Sequence, residues 1–259
     1  MVGLDKFQQH FAAFADQYVL IGGVATLLAL EEQGLEARAT KDLDIVLCVE
    51  VLEPDFVRAF WAFVQAGGYQ IQQRSSGKKV FYRFSKPTMP GYPAMLEIFS
   101  RQPDGVTLGE DAQLTPIPVD EDVSSLSAIL LNEDYYAFLH ANKRELAGVQ
   151  VVNEYCLIPL KARAWLDLSK RKEAGEAIDQ KNISKHRSDI LRLFQLLNPA
   201  TRLTLPPAMM GDMAAFLEVL SMQDDQLLKS VGIKGLSLAQ VVETLRSIYG
   251  IVPGFTATT

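Results

Sequence analysis

The sequence predicts an α+β protein, with a mixed β-sheet and flanking helices in its first part and an α-helical part after it. Three observations carry that expectation. Over roughly the first hundred residues, short apolar runs alternate with amphipathic stretches, the pattern of strands interleaved with helices. From Pro159 onward the apolar spacing turns helical. The chain has 259 residues, 48% hydrophobic and 22% charged, which is globular composition and enough length to bury a core.

Taken in order, Leu4, Phe7, Phe11 and Phe14 recur every three or four residues and predict a helix over residues 4–16. A short strand over 18–21 runs into Gly22-Gly23, and the Ala- and Leu-rich residues 24–33 form a helix stopped by Gly34. Residues 42–49 begin with alternating acids and branched apolar residues and become continuously apolar, which predicts a mostly buried strand. Pro54 and Asp55 open the next helix, Phe56, Phe60, Phe63 and Val64 form its apolar stripe, and Gly67-Gly68 end it.

Further strands are expected over 69–73, 79–84 and 94–100, joined by Ser75-Ser76-Gly77 and by the loop from Pro87 to Pro93. Prolines and glycines dominate 101–119, and strands over 125–131 and 149–157 flank a polar helical segment. The later helices are expected over 161–168, 184–197, 209–222 and 237–249, with a break at Leu205-Pro206-Pro207. Ser237 and Gln240 have the spacing of a capping box at the start of the last one. Residues 169–180 read as a mobile polar loop. The chain divides into an α/β domain over 1–155 and a helical domain over 156–259.

Several classes are excluded. The formal charge of −6 leaves no global basic field for sequence-blind nucleic-acid binding. Cys48 and Cys156 are far apart, and His10, His140 and His186 are scattered, so neither a disulfide framework nor a Cys/His zinc site is expected. The most apolar early stretch, residues 18–30, holds Gly22, Gly23 and Thr26 and follows Asp16, so it reads as neither a signal peptide nor a membrane span. A cytoplasmic protein is the default expectation.

The chemistry lies in three places: Ile21-Gly22-Gly23, the run Arg38-Ala39-Thr40-Lys41-Asp42-Leu43-Asp44-Ile45, and Glu97 within Met95-Leu96-Glu97-Ile98-Phe99. Residues two apart on a strand point the same way about 6.6 Å apart, so Asp42 and Asp44 aim both carboxylates at one point. Glu97 sits among apolar strand residues, where a carboxylate has no core purpose. Two such charges about 4 Å apart repel by roughly 4 kcal/mol at an effective dielectric of about 20, and a bound divalent cation reverses that sign. Oxygen-only ligands suit Mg²⁺ or Mn²⁺, with substrate phosphates completing the shell. Bare glycines at a helix start let a triphosphate approach the backbone. The alternative for Glu97 is a strand-edge ion pair with Arg83 or Arg101.

At Gly22-Gly23 and Asp42-Leu43-Asp44 the sequence resembles the nucleotidyltransferase superfamily of polymerase β-like fold, and more closely the AbiEii-type nucleotidyltransferase toxins, whose aspartates follow Arg-x-Ser/Thr-x, here Arg38-Ala39-Thr40-Lys41. Those proteins also carry a helix-opening lysine and a later basic segment ending in an aspartate, which Lys161 and the run Lys185-His186-Arg187-Ser188-Asp189 resemble. The resemblance covers roughly residues 18–195. It implies a nucleotidyltransferase-like fold in which Asp42, Asp44 and Glu97 hold two Mg²⁺ or Mn²⁺ ions about 3.5–4 Å apart. It further implies that Gly22, Gly23, Arg38, Thr40 and Lys185 bind the NTP and that Lys161 and Asp189 complete the catalytic set in a cleft to which the helical domain contributes. Lys161, with Arg38 or Lys185, would neutralise the transferred phosphate.

The implied reaction moves NMP from an NTP to a hydroxyl on an RNA end or a protein, with an antitoxin protein as partner and no membrane. Residues 161–192 hold nine Lys or Arg against five acids, a local reversal of the overall charge. Two other readings stay open. One is a nucleotide-binding module without catalysis; the other is a glycosyltransferase using Asp-x-Asp, against which the early position of the motif argues.

Overall fold

A computed structural model describes residues 1–73, 79–104, 106, 114–117 and 126–252. Two compact units are present. The first comprises 1–28, 38–136 and 143–152; the second comprises 29–37, 137–142 and 153–259. The fold is α+β: a mixed sheet with flanking helices, followed by helices.

In the first unit, helix α1 (Leu4–His10) is followed by a 3₁₀ turn at Ala12–Phe14, so the expected helix over 4–16 breaks after His10. Strand β1 (Tyr18–Ile21) is wholly buried and runs straight into α2 (Gly22–Glu32). Next come β2 (Asp42–Leu47), α3 (Pro54–Gly67), β3 (Gln70–Gln73), β4 (Lys79–Ser85) and β5 (Met95–Ser100). Two short strands, β6 (Leu114–Ile117) and β7 (Leu126–Leu130), precede α4 (Glu133–Ala141) and the hairpin of β8 (Lys143–Leu146) and β9 (Val149–Val152). The Ser75-Ser76-Gly77 turn, Ser125 and much of 101–119 lie outside the described residues.

The main path of the sheet is β3-β4-β5-β2-β1-β9-β8, with β7 joining β5 and β6 joining β7. Strand β2 is therefore interior, antiparallel to β1 and parallel to β5. Burial explains the placement: Leu43, Ile45 and Leu47 on one face, and Val46 on the other, are fully buried. Helix α3 buries Phe56, Phe60, Phe63 and Val64. Their rings meet Phe7, Phe11 and Tyr18, for example Phe7–Phe63 at 5.8 Å and Phe11–Phe56 at 5.4 Å between centroids.

The polar segment before β9 departs from expectation. Only its first part is helical, because Ala147 and Gly148 both take positive φ (50° and 71°) and fold Lys143–Leu146 back onto Val149–Val152 as a two-residue hairpin. The expected strand over 149–157 also stops early. Asn153 accepts a hydrogen bond from the Cys156 amide (3.1 Å) and caps α5 (Glu154–Glu173), which takes over from residue 154.

In the second unit α5 is followed by α6 (Gln180–Phe194), α7 (Pro207–Ser221), α8 (Gln226–Ser230) and α9 (Leu238–Tyr249). The expected mobile loop over 169–180 is shorter, because α5 continues through Glu173 and Asp179 caps α6 by accepting from the Lys181 amide (2.9 Å). The capping box at Ser237 and Gln240 is formed.

Pro159 lies inside α5, where its missing N–H leaves the Tyr155 carbonyl without its helical donor. The Tyr249 hydroxyl, at the end of α9, donates to that carbonyl at 3.0 Å. Burial raises the Tyr249 phenol well above its usual range, so it stays a donor. Tyr249→Phe is expected to lower stability by about 1–3 kcal/mol in urea unfolding, the cost of a buried carbonyl left unmet. No helix among the described residues is long and apolar enough to cross a membrane.

Candidate active site on the sheet

The site in the first unit is built by strand register. Along β2, Leu43 and Ile45 face the core, so Asp42 and Asp44 share the opposite face, both half-buried. Asp44 is the register partner of Glu97 on β5 and of Ile21, the last residue of β1. Glu97 is in turn the partner of Arg83 on β4. Side chains in register on neighbouring strands stand side by side, so Asp44, Glu97 and Arg83 form a row across three strands, with Asp42 one step along.

The glycine pair is fitted to these residues. Gly22 has φ +63°, and a β-carbon there would strike Oδ2 of Asp44. A β-carbon on Gly23 would lie 2.5 Å from Oγ1 of Thr40. The space left by the two missing side chains is taken by Asp44 and Thr40, so the start of α2 and the run before β2 hold one another. Thr26 donates to the Gly22 carbonyl (2.8 Å) in the first turn of α2. Gly22→Ala is expected to cost about 1–2 kcal/mol for the left-handed backbone alone, read by urea unfolding, and to move Asp44 off its position.

Glu97 pairs with Arg83, and Arg101 instead binds Glu50 (2.7 Å) and Asp104 (3.2 Å). Of the two partners weighed from sequence, the β4–β5 register selects Arg83. Arg38 is exposed and donates to the Ala39 carbonyl (3.3 Å). Among the described residues no three His, Cys, Asp or Glu side chains stand close enough together to hold one metal ion. The donor chemistry nonetheless fits a hard divalent cation at Asp42 and Asp44: two carboxylates on one face, half-open to solvent, against a glycine. Glu97 is the adjacent carboxylate, turned to a guanidinium.

In the helical unit, Lys161 Nζ donates to Asp189 Oδ2 at 2.9 Å, and both side chains are about 95% buried. Arg192 lies 3.7 Å from Asp189 Oδ1. Lys185, half-buried, sits one turn before Asp189 on the same helix face. Burial lowers the Arg187 guanidinium from its usual range. Several of the remaining bases in 161–192 have acid partners, as Arg163 with Asp212 (3.0 Å) and Arg171 with Glu176 (2.7 Å). Both thiols are held in the protonated form: burial pushes the Cys48 thiol up to about 12 and the wholly buried Cys156 thiol higher.

Arg83 is the residue of this row that motif reading leaves outside the site. Its sequence signal is a cation set between two aromatic residues of the strand, Tyr82 and Phe84.

No family model matches the chain, and no curated protein does. Among solved structures the chain is similar to an antigenic nucleotidyltransferase-like protein from Paracoccidioides brasiliensis, at 12% identity and a TM-score of 0.42, over 96% of this chain and 95% of that one. A likeness at that level assigns no role to any residue.

Proposed function

We propose that the protein is a metal-dependent nucleotidyltransferase that moves NMP from an NTP to a hydroxyl acceptor. The observation that supports this most is the packing of the motif residues against one another: Asp44 against Gly22, Thr40 against Gly23, and Glu97 in register with Asp44. Separately, each motif is a turn or a solvated acid pair. Together they place oxygen donors beside the N-terminus of α2, where backbone N–H groups favour phosphate.

In this reading Asp42 and Asp44 hold Mg²⁺ or Mn²⁺, with Glu97 as third carboxylate. The cation would supply charge for the triphosphate and lower the pKa of the attacking hydroxyl. The chain's own work is positional. Gly22 and the β1–β2 register fix Asp44, Thr40 and Gly23 fix the approach to β2, and Arg38 offers a cation to phosphate. Lys161, Lys185 and Asp189 enter from the family resemblance alone, as groups that neutralise and orient phosphate. The proposal extends to an RNA end or a protein as acceptor and to the toxin half of a toxin–antitoxin pair.

The test is label transfer from each α-labelled NTP, with Mg²⁺, to total RNA and to protein. Transfer that disappears in Asp44→Ala is the expected result. No transfer with any NTP over a broad acceptor panel would overturn it. Growth arrest on expression, relieved by Asp44→Ala, is the result expected of a toxin. The Arg83–Glu97 pair favours one second reading, a nucleotide-binding module without catalysis, in which Glu97 never leaves its guanidinium.

A further inference from the structure

Asp44, Glu97 and Arg83 occupy register positions on three successive strands. Two acids that stand side by side repel, and a third, Asp42, lies one step away on the same face. Glu97 is met by Arg83, whose Nε and Nη2 both contact the same oxygen, Oε1. The Glu97 side chain is 13% exposed and that of Arg83 38%, so the carboxylate sits in the sheet while the guanidinium has a route to solvent.

We propose that Arg83 is the counter-ion that a divalent cation displaces from Glu97, so that this arginine sets how tightly the site binds metal. The inference rests on the reading of Asp42, Asp44 and Glu97 as a cation site. Three features carry it. The pair is held by backbone register, so it is not one of many rotamers of a surface lysine. Both guanidinium contacts fall on the carboxylate that is the neighbour of Asp44. And of the two partners it is the guanidinium, 38% exposed against 13% for the carboxylate, that has room to leave.

A guanidinium and a metal ion neutralise the same carboxylate, so the two compete. When the cation arrives, Glu97 exchanges one positive partner for another, and Arg83 swings toward solvent or toward a phosphate oxygen of the bound nucleotide. No covalent bond changes. Arg83 is thus a positioning residue: it holds the Glu97 carboxylate until a cation takes its place, and it weakens binding of adventitious cations.

The experiment measures Mn²⁺ affinity by titration calorimetry and electron paramagnetic resonance on wild type, Arg83→Gln, Glu97→Gln and the double variant, each checked for folding by circular dichroism. Arg83→Gln is expected to tighten Mn²⁺ by at least about threefold, and to do so by less in the Glu97→Gln background, since the cycle isolates the pair. Without metal, Arg83→Gln is expected to melt below wild type, and saturating Mn²⁺ is expected to narrow the gap.

Unchanged or weaker Mn²⁺ binding in Arg83→Gln, equal tightening in both backgrounds, or a melting gap that Mn²⁺ does not narrow would each overturn the inference. Asp44→Ala separates the two levels. If Mn²⁺ binding depends on Asp44 but ignores Arg83, only the counter-ion role fails. If wild type binds no Mn²⁺, or binds it as Asp44→Ala does, the cation site itself fails.

Discussion

Asp44→Asn is expected to lower nucleotidyl transfer by about 10³-fold at saturating NTP and Mg²⁺, the scale on which loss of one preorganised electrostatic group is felt. The substitution keeps the shape that fits against Gly22 and removes the charge. Stability is expected to stay within about 1 kcal/mol of wild type, because Asp44 is only half-buried. Asp42→Asn is expected to behave alike. Rates from single-turnover label transfer, set beside urea unfolding of the same samples, check both halves. A loss below tenfold, with NTP binding intact, would move the assignment to a binding module.

Asp189→Ala is expected to destabilise the protein by about 3–5 kcal/mol, since it removes the carboxylate to which the buried Lys161 ammonium donates. Lys161→Met is expected to cost less, because Arg192, 3.7 Å from Asp189 Oδ1, still faces the carboxylate. The double change Lys161→Met with Asp189→Leu removes both charges and is expected to recover most of the loss, because two apolar side chains of similar volume replace a pair that was costly to desolvate. Urea unfolding of the four proteins closes the cycle. The double variant also separates the roles proposed for these residues: stable and inactive if they act on phosphate, stable and active if the pair serves packing alone.

How much of this was legible in the chain depends on whether the partner of each residue lies nearby. The two faces of β2 are local, so the alternation of Asp42, Leu43, Asp44 and Ile45 was enough to predict a strand with both acids on one side. The start of α9 is local too, since Ser237 and Gln240 cap each other. The start of α5 is not. Pro159 reads as the point where helical spacing begins, and the group that lets α5 run through it is the hydroxyl of Tyr249, 94 residues beyond Tyr155 in the chain. Strand β8 was hidden because Lys143–Leu146 is short, polar and at a sheet edge, where hydrophobic alternation fades.

The candidate site divides the same way. Glycines, aspartates and Glu97 were readable as types, but the contacts of Gly22 with Asp44 and of Gly23 with Thr40 needed the fold. So did the choice of Arg83 over Arg101 as partner of Glu97, because only the offset between β4 and β5 decides it.

The pairing of Leu20 on β1 with Val151 on β9 has a kinetic consequence. The strand that leads into the glycine pair stays an unprotected edge until the chain has been synthesised past residue 152, and parallel pairing at such separation is slow to nucleate. A nascent chain halted before that point carries Asp42, Asp44 and Glu97 on a sheet with β1 open on one side. Pulse-labelled ribosome-bound chains ending near residues 140 and 180 should therefore differ sharply in protease resistance, and the shorter one should recruit chaperones or aggregate.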